Sequence, residues 1–171
     1  SLLDSVTNYR LYIDKAVELG QKAICFTEHG NVYNWIEKKE YCDKKGIKYI
    51  HGVECYLTEK LFWDDDNKKI KDNYHTILIA KNQDGIREIN TLIDKSSQDD
   101  HMYYKRRISF DEFLSTSDNI IRISACIQSP LNRLRDNPDK IKILEKLINK
   151  YDYLEVQPHD FNEQKEYNQW L

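Results

Sequence analysis

The chain has 171 residues, 40% of them hydrophobic and 32% charged, with 26 basic against 29 acidic side chains and a net charge of −3. That length suffices for one domain with a buried core, and the near-balance of charge excludes a generally basic, nucleic-acid-coating protein, so any nucleic-acid contact must be local. Cys25, Cys42, Cys55 and Cys126 show neither CxxC spacing nor the density of a disulfide scaffold, no apolar run reaches the roughly 18 residues of a membrane span, and the start is too polar for a signal peptide, which together predict a soluble, cytoplasmic protein without a membrane partner.

Residues 8–19 carry apolar positions at helical spacing and run into Gly20, a helix stop. A strand is expected over 22–27, a helix over 31–46 ending at Gly46, and a strand over "KYIHGVECYL". "FWDDDNKKIKDN" is a polar excursion; Asp64, Asp65 and Asp66 read as a solvated loop and carry no site. "YHTILIA" is a strand dense in β-branched and apolar residues, and "NQDGIREINTLIDKSSQ" a helix with Gly85 ill-placed near its start. "MYYKRRISFDEFLS" reads as a connection to the strand "NIIRISAC", which is followed by the helix "PDKIKILEKLINKY" and the strand "YDYLEVQ". Alternation of strand and helix without linker or repeat predicts βα units around a parallel sheet. Neither a G-x-G-x-x-G nor a Walker turn follows the first strand, which favours a barrel over an open nucleotide-binding sheet. The opening Ser1-Leu2-Leu3-Asp4 lacks Met, and the helix-like close "NEQKEYNQWL" lacks a stop, so the chain reads as a piece of a longer polypeptide.

In barrels the chemistry sits at the C-terminal ends of strands. Here those regions carry Glu28 and His29, Glu54 within "HGVEC", and Cys126 after Ser124-Ala125, while His75 begins its strand. Imidazole, carboxylate and thiolate together are a metal-ligand palette, compatible with zinc and, where oxygen and nitrogen dominate, manganese or iron. Each residue also has an ordinary reading: a strand-end histidine as a hydrogen-bonded rim residue, a cysteine as a small buried apolar group. Glu54 is harder to explain away, because a carboxylate in an apolar strand must find a cation or donors. His51 and His101 read as structural or surface residues.

The segments "SLLDS", "FTEHGN", "KKGIKYIHGVECYL", "YHTILIAKNQDGIREINTLI", "YYKRRIS", "RISACIQSP" and "YLEVQPHDFNEQ" follow in an order that resembles the PHP (polymerase and histidinol phosphatase) domain of bacterial DNA polymerase III alpha subunits, over nearly the whole chain. The resemblance implies an α/β fold, a distorted (β/α)7 TIM-like barrel of the PHP type, with up to three divalent metals at one end. By position it places Asp4, His29, Glu54, His75 and Cys126 on metal ligands, and the metals expected are zinc or manganese, with iron or magnesium as alternatives. Glu28 stands where the family usually has Asp and is a candidate for supporting a ligand from behind. The family's opening H-x-H pair would precede Ser1 and its closing D-x-H pair would follow Leu171, so residues 1–171 are expected to be an incomplete barrel. Pro158 departs from the acidic or amide residue usual before the histidine, which leaves His159 on the rim rather than among the ligands.

The implied activity is metal-assisted phosphoester hydrolysis, serving 3′-to-5′ exonuclease proofreading in a DNA-directed DNA polymerase of DNA replication. Its partners would be a DNA primer-template, downstream polymerase domains and other replisome subunits. Tyr103, Tyr104, Lys105, Arg106 and Arg107 offer aromatics for stacking and cations for phosphates, against an ordinary solvated connection. The alternatives are a free-standing phosphatase of the histidinol phosphatase type and a non-catalytic structural module.

Overall fold

The computed structural model describes residues 5–61 and 70–171. Asp4, one expected ligand, and the Asp64–Asp66 stretch lie outside the described residues. In chain order the elements are α1 (Tyr9–Glu18), β1 (Ala23–His29), α2 (Trp35–Lys45), β2 (Lys48–Thr58), β3 (Tyr74–Ala80), α3 (Gln83–Ser96), β4 (Met102–Tyr103), β5 (Lys105–Ser109), α4 (Phe110–Leu114), β6 (Ile120–Ile123), α5 (Pro130–Leu134), α6 (Ile141–Lys150) and α7 (Asn162–Trp170). Helix starts follow local chemistry. The Asn8 side chain accepts from the Arg10 N–H at 2.9 Å to open α1, and Ser109 and Glu112 form a reciprocal capping box on α4.

β2 is the central strand. β3 pairs with one of its edges and β6 with the far edge of β3, while the other edge of β2 takes β1 along residues 48–54 and β5 along residues 56–58. β1 and β5 therefore lie end to end against one strand. Among the described residues the sheet does not close.

The sheet is mixed, not wholly parallel as the alternation of elements predicts: β3 runs antiparallel to both β2 and β6. A parallel return needs a crossover, usually a helix. The polar stretch before β3 has no amphipathic helical pattern, and the chain comes back beside β2 in the opposite sense. Two further expectations are corrected. The segment "MYYKRRISFDEFLS" is a hairpin (β4–β5) followed by α4 rather than a plain connection. The expected strand over "YDYLEVQ" reduces to one bridge between Ile123 and Tyr153, because β6 stops at Ile123, where the backbone turns through Ala125 at φ 58°.

Register assigns the faces. Val53, Cys55 and Leu57 of β2 share a face with their β3 partners Leu78, Thr76 and Tyr74, and this face packs the main core with Ile89, Phe110, Phe113, Leu131, Leu147 and Tyr167 from the helices. Ile24, Phe26 and Tyr49 continue that face beneath α1 and α2, around Ile13, Ala16, Cys42 and Ile47. Burial of such side chains stabilises by about 1.5–3 kcal/mol each. Strand alternation then turns His29, Glu54, Tyr56 and His75 to the opposite face. Gly85, ill-suited to a helix start on propensity, sits where a Cβ would come within 2.3 Å of the Asn119 carbonyl oxygen; close approach of α3 to the turn before β6 requires its missing side chain.

Candidate metal centre

His29 ends β1 and lies in register with Glu54 of β2. His75 opens β3 and is paired with Tyr56, two residues further along β2. Because β3 is reversed, its first residues lie at the same end of the sheet as the last residues of β1. A histidine that looks misplaced at the start of a strand is thereby delivered to the others. Cys126 arrives from the end of β6. Ala125, 1% exposed and left-handed, makes the turn before it, at a cost of about 1–2 kcal/mol for a residue bearing a Cβ.

Glu54 divides its two carboxylate oxygens between two histidines. Oε1 lies 3.1 Å from His75 Nδ1, and Oε2 bonds His29 Nδ1. Cys126 Sγ is 3.6 Å from His75 Nδ1. Donor atoms of Glu54, His75 and Cys126 all lie within 4.8 Å of one another, about twice the 2.0–2.3 Å length of a zinc bond to such ligands. One oxygen, one nitrogen and one sulfur donor at that spacing fit a divalent ion, and the thiolate favours a borderline-soft metal such as zinc. His29, with 41% of its side chain exposed against 12% for Glu54, forms the solvent-side lip.

Electrostatics agree with the geometry. Burial alone would depress the His75 pKa, but Cys126 and Glu54 overcome it and hold the value up, at about 9. Burial would raise the Glu54 carboxyl, and the two histidines instead pull it below its ordinary value. Glu54 and Cys126 thus hold negative potential beside His75, which a proton on the imidazole or a divalent ion in its place would offset. Cys25 and Cys55 are different: burial pushes their thiols up, to about 11 and about 12, and they stay protonated packing groups.

Two expected site residues fall elsewhere. Glu28 points to the opposite face of β1, where it pairs with the buried Lys38 of α2, and Lys38 also lies 4.8 Å over the Phe26 ring. The strand alternation that turns His29 toward the cluster turns Glu28 to the opposite face. Arg107 is 2% exposed and donates to the carbonyls of Leu61 (2.6 Å), Ile70 (2.9 Å), Asp72 (3.2 Å) and His101 (3.4 Å). It is a clamp between Leu61 and the Ile70–Asp72 stretch, with most of its donors spent on backbone carbonyls. Tyr103 packs over this guanidinium at 5.3 Å. Tyr104, Lys105 and Arg106 remain at the surface, beside His29. His51 bonds Tyr49 and Asn90 on the helix-covered face, and His159 is exposed and stacked on Phe161.

The residue that motif reading misses is Tyr56. Its ring lies 5.1 Å from that of His75 and 4.2 Å beneath the Lys105 ammonium, linking the cluster to the β4–β5 hairpin. Period-two spacing from Glu54 along β2 is the signal that marks it. Gly30, at φ 57°, lets the chain leave β1 against the same ring, which a Cβ would meet at 2.9 Å.

The profile of the PHP domain matches residues 1–159. The chain belongs to the PHP domain family. This PHP domain is 30% identical over 173 aligned residues to the DNA polymerase III subunit alpha of Treponema pallidum, covering 96% of the chain and 15% of that protein. It is 33% identical over 179 residues to that of Borreliella burgdorferi, covering 100% of the chain and 15% of that protein. The domain thus spans about 15% of the length of these relatives. Among solved structures, an amidohydrolase from Chromobacterium violaceum, determined with bound sulfate and no metal, aligns with a TM-score of 0.56 at 9% identity, over 96% of this chain and 77% of that one. That likeness supports a shared fold across the PHP domain.

Proposed function

We propose that this PHP domain is part of a DNA polymerase III alpha subunit and carries a metal-dependent phosphoesterase centre. Glu54, His75 and Cys126 hold a divalent ion, zinc or manganese, and His29 and Asp4 complete the ligand set. The observation that carries the reading is the convergence of three different donor types, from β2, the reversed β3 and the end of β6, within 4.8 Å. Membership of the PHP family and similarity to polymerase III alpha subunits support the assignment.

A divalent ion at this centre supplies Lewis acidity to a phosphoryl oxygen and activates water for attack. The chain's own residues do the rest. Glu54 spans two histidines with its two oxygens and would hold the ion together with His75. His29, at the solvent-side lip, closes the centre toward the entering phosphoester. In the polymerase setting the substrate is the phosphodiester at a DNA 3′ end, and the reaction is 3′-to-5′ excision.

The test compares wild type with Glu54→Ala and His75→Ala, reading metal content by emission spectroscopy beside degradation of a 3′-labelled single strand. Metal content and excision are expected to fall together in both variants. Excision unchanged after loss of the metal would overturn the assignment. Full metal occupancy with no hydrolysis of DNA or of a small phosphomonoester would point to a structural module instead.

A further inference from the structure

The end-to-end placement of β1 and β5 along β2 leaves a junction where one strand stops and the other starts, and at that junction is a cleft of about 270 Å³. Its walls include His29, Tyr33, Tyr56, Tyr104, Lys105 and Arg106. On a chain of net charge −3 this is a local concentration of cations and aromatics, with no carboxylate among the residues that line it. Among the described residues the Arg106 guanidinium makes no ion pair or side-chain hydrogen bond, whereas the next residue, Arg107, spends its donors on backbone carbonyls.

The hairpin that presents these groups is under strain. Met102 pairs with Arg106 and Tyr103 with Lys105, which leaves Tyr104 alone at the tip. Tyr104 sits there at φ 56° with 89% of its surface exposed. A bulky aromatic in the left-handed region costs about 1–2 kcal/mol, and exposing its ring gains nothing in the folded protein by itself. Backbone outliers of this kind persist where neighbouring structure enforces them, and they cluster at ligand clamps. The enforcing structure is identifiable: Arg107 pins the base of the hairpin, and the Tyr103 ring meets that of Tyr104 edge-on at 4.7 Å. The cleft also communicates with the metal centre, because Lys105 stands over Tyr56 and Tyr56 packs on His75.

We propose that this cleft is a subsite for single-stranded polynucleotide, in which Lys105 and Arg106 take backbone phosphates and Tyr104 stacks on a base. The inference rests on the phosphoesterase reading and deepens it by assigning the residues that hold the strand beside the centre, outside the metal ligands themselves. A small phosphate would need the cations alone. Two phosphate-binding side chains beside an exposed, strained aromatic match the combination of backbone tracking and base stacking by which single strands are held.

The test uses a fluorescently labelled oligothymidylate, followed by anisotropy over a range of KCl, and photo-crosslinking with the adducts mapped by mass spectrometry. Tyr104→Ala should weaken binding about tenfold, the range for loss of one stacked base. The double variant Lys105→Ala/Arg106→Ala should weaken it and flatten the dependence of log affinity on log salt by about 1.4, the slope for two phosphate contacts on a single strand. Crosslinks should fall on the peptide carrying Tyr103 and Tyr104. Melting curves and zinc content, read on the same preparations, should match wild type in both variants. Unchanged affinity and salt slope, or crosslinks confined to other segments, would overturn the proposal. A wild-type protein that holds neither zinc nor manganese yet binds the oligothymidylate through Tyr104 would refute the phosphoesterase and leave the cleft standing.

Discussion

Glu54 shows how far a single residue can be read in advance. A carboxylate in an apolar strand needs a cation or donors, and its two oxygens are found on His75 and His29. Glu28 is harder to read, because spacing along the chain does not reveal a face: one step from His29 on β1 is the opposite side of the sheet, where Glu28 pairs with Lys38. Arg107 is hidden for a related reason, since a run of like charges does not show which member turns inward. Its burial yields a prediction. Arg107→Ala leaves carbonyls of Leu61, Ile70 and Asp72 without their donor and should lower stability by about 2–3 kcal/mol. Arg107→Lys should not restore it, because an ammonium cannot reach carbonyls on both sides as the planar fork does. Urea unfolding of the three proteins at neutral pH gives the comparison, and a lysine variant as stable as wild type would contradict the clamp.

Elements with strong periodicity or clear stops were legible. The span of β3 matches the expected strand "YHTILIA", and α2 ends where Gly46 follows it. Direction was not legible, since a strand's sequence does not say which way it runs, and reversal of β3 is what brings His75 to the cluster. The short α4 was also hidden inside an apparent connection, and its stability depends on its capping box. Burial would raise the Glu112 carboxyl, but Lys95, His101 and Ser109 together draw it down, to about 2 from an ordinary 4.5. A depressed carboxyl contributes stability that is complete above about pH 4.5 and is lost as the pH falls toward 2. Glu112→Ala should therefore destabilise the protein at pH 7 by about 1–2 kcal/mol. The deficit should shrink between pH 4.5 and 2, as the wild-type carboxyl itself becomes protonated. Equal deficits at pH 7 and pH 3, measured by chemical denaturation, would remove Glu112 from this role.

At the scale of the whole molecule, one face of the sheet is covered by helices and the other carries the candidate metal centre. Covering the first face is ordinary core formation, readable from apolar spacing. What occupies the second follows from register: His29 beside Glu54, Tyr56 beside His75, and the β4–β5 hairpin abutting the end of β1. The PHP resemblance implies an order of ligand positions along the chain, and the mixed sheet brings four of them, His29, Glu54, His75 and Cys126, to one end. The proposed function requires that Glu54, His75 and Cys126 hold a divalent ion. Crystals grown with zinc and measured on both sides of the zinc absorption edge test it directly. The prediction is an anomalous peak about 2.0–2.3 Å from a Glu54 oxygen, a His75 ring nitrogen and Cys126 Sγ. A peak at other side chains only, or an empty triad at saturating zinc, would contradict it.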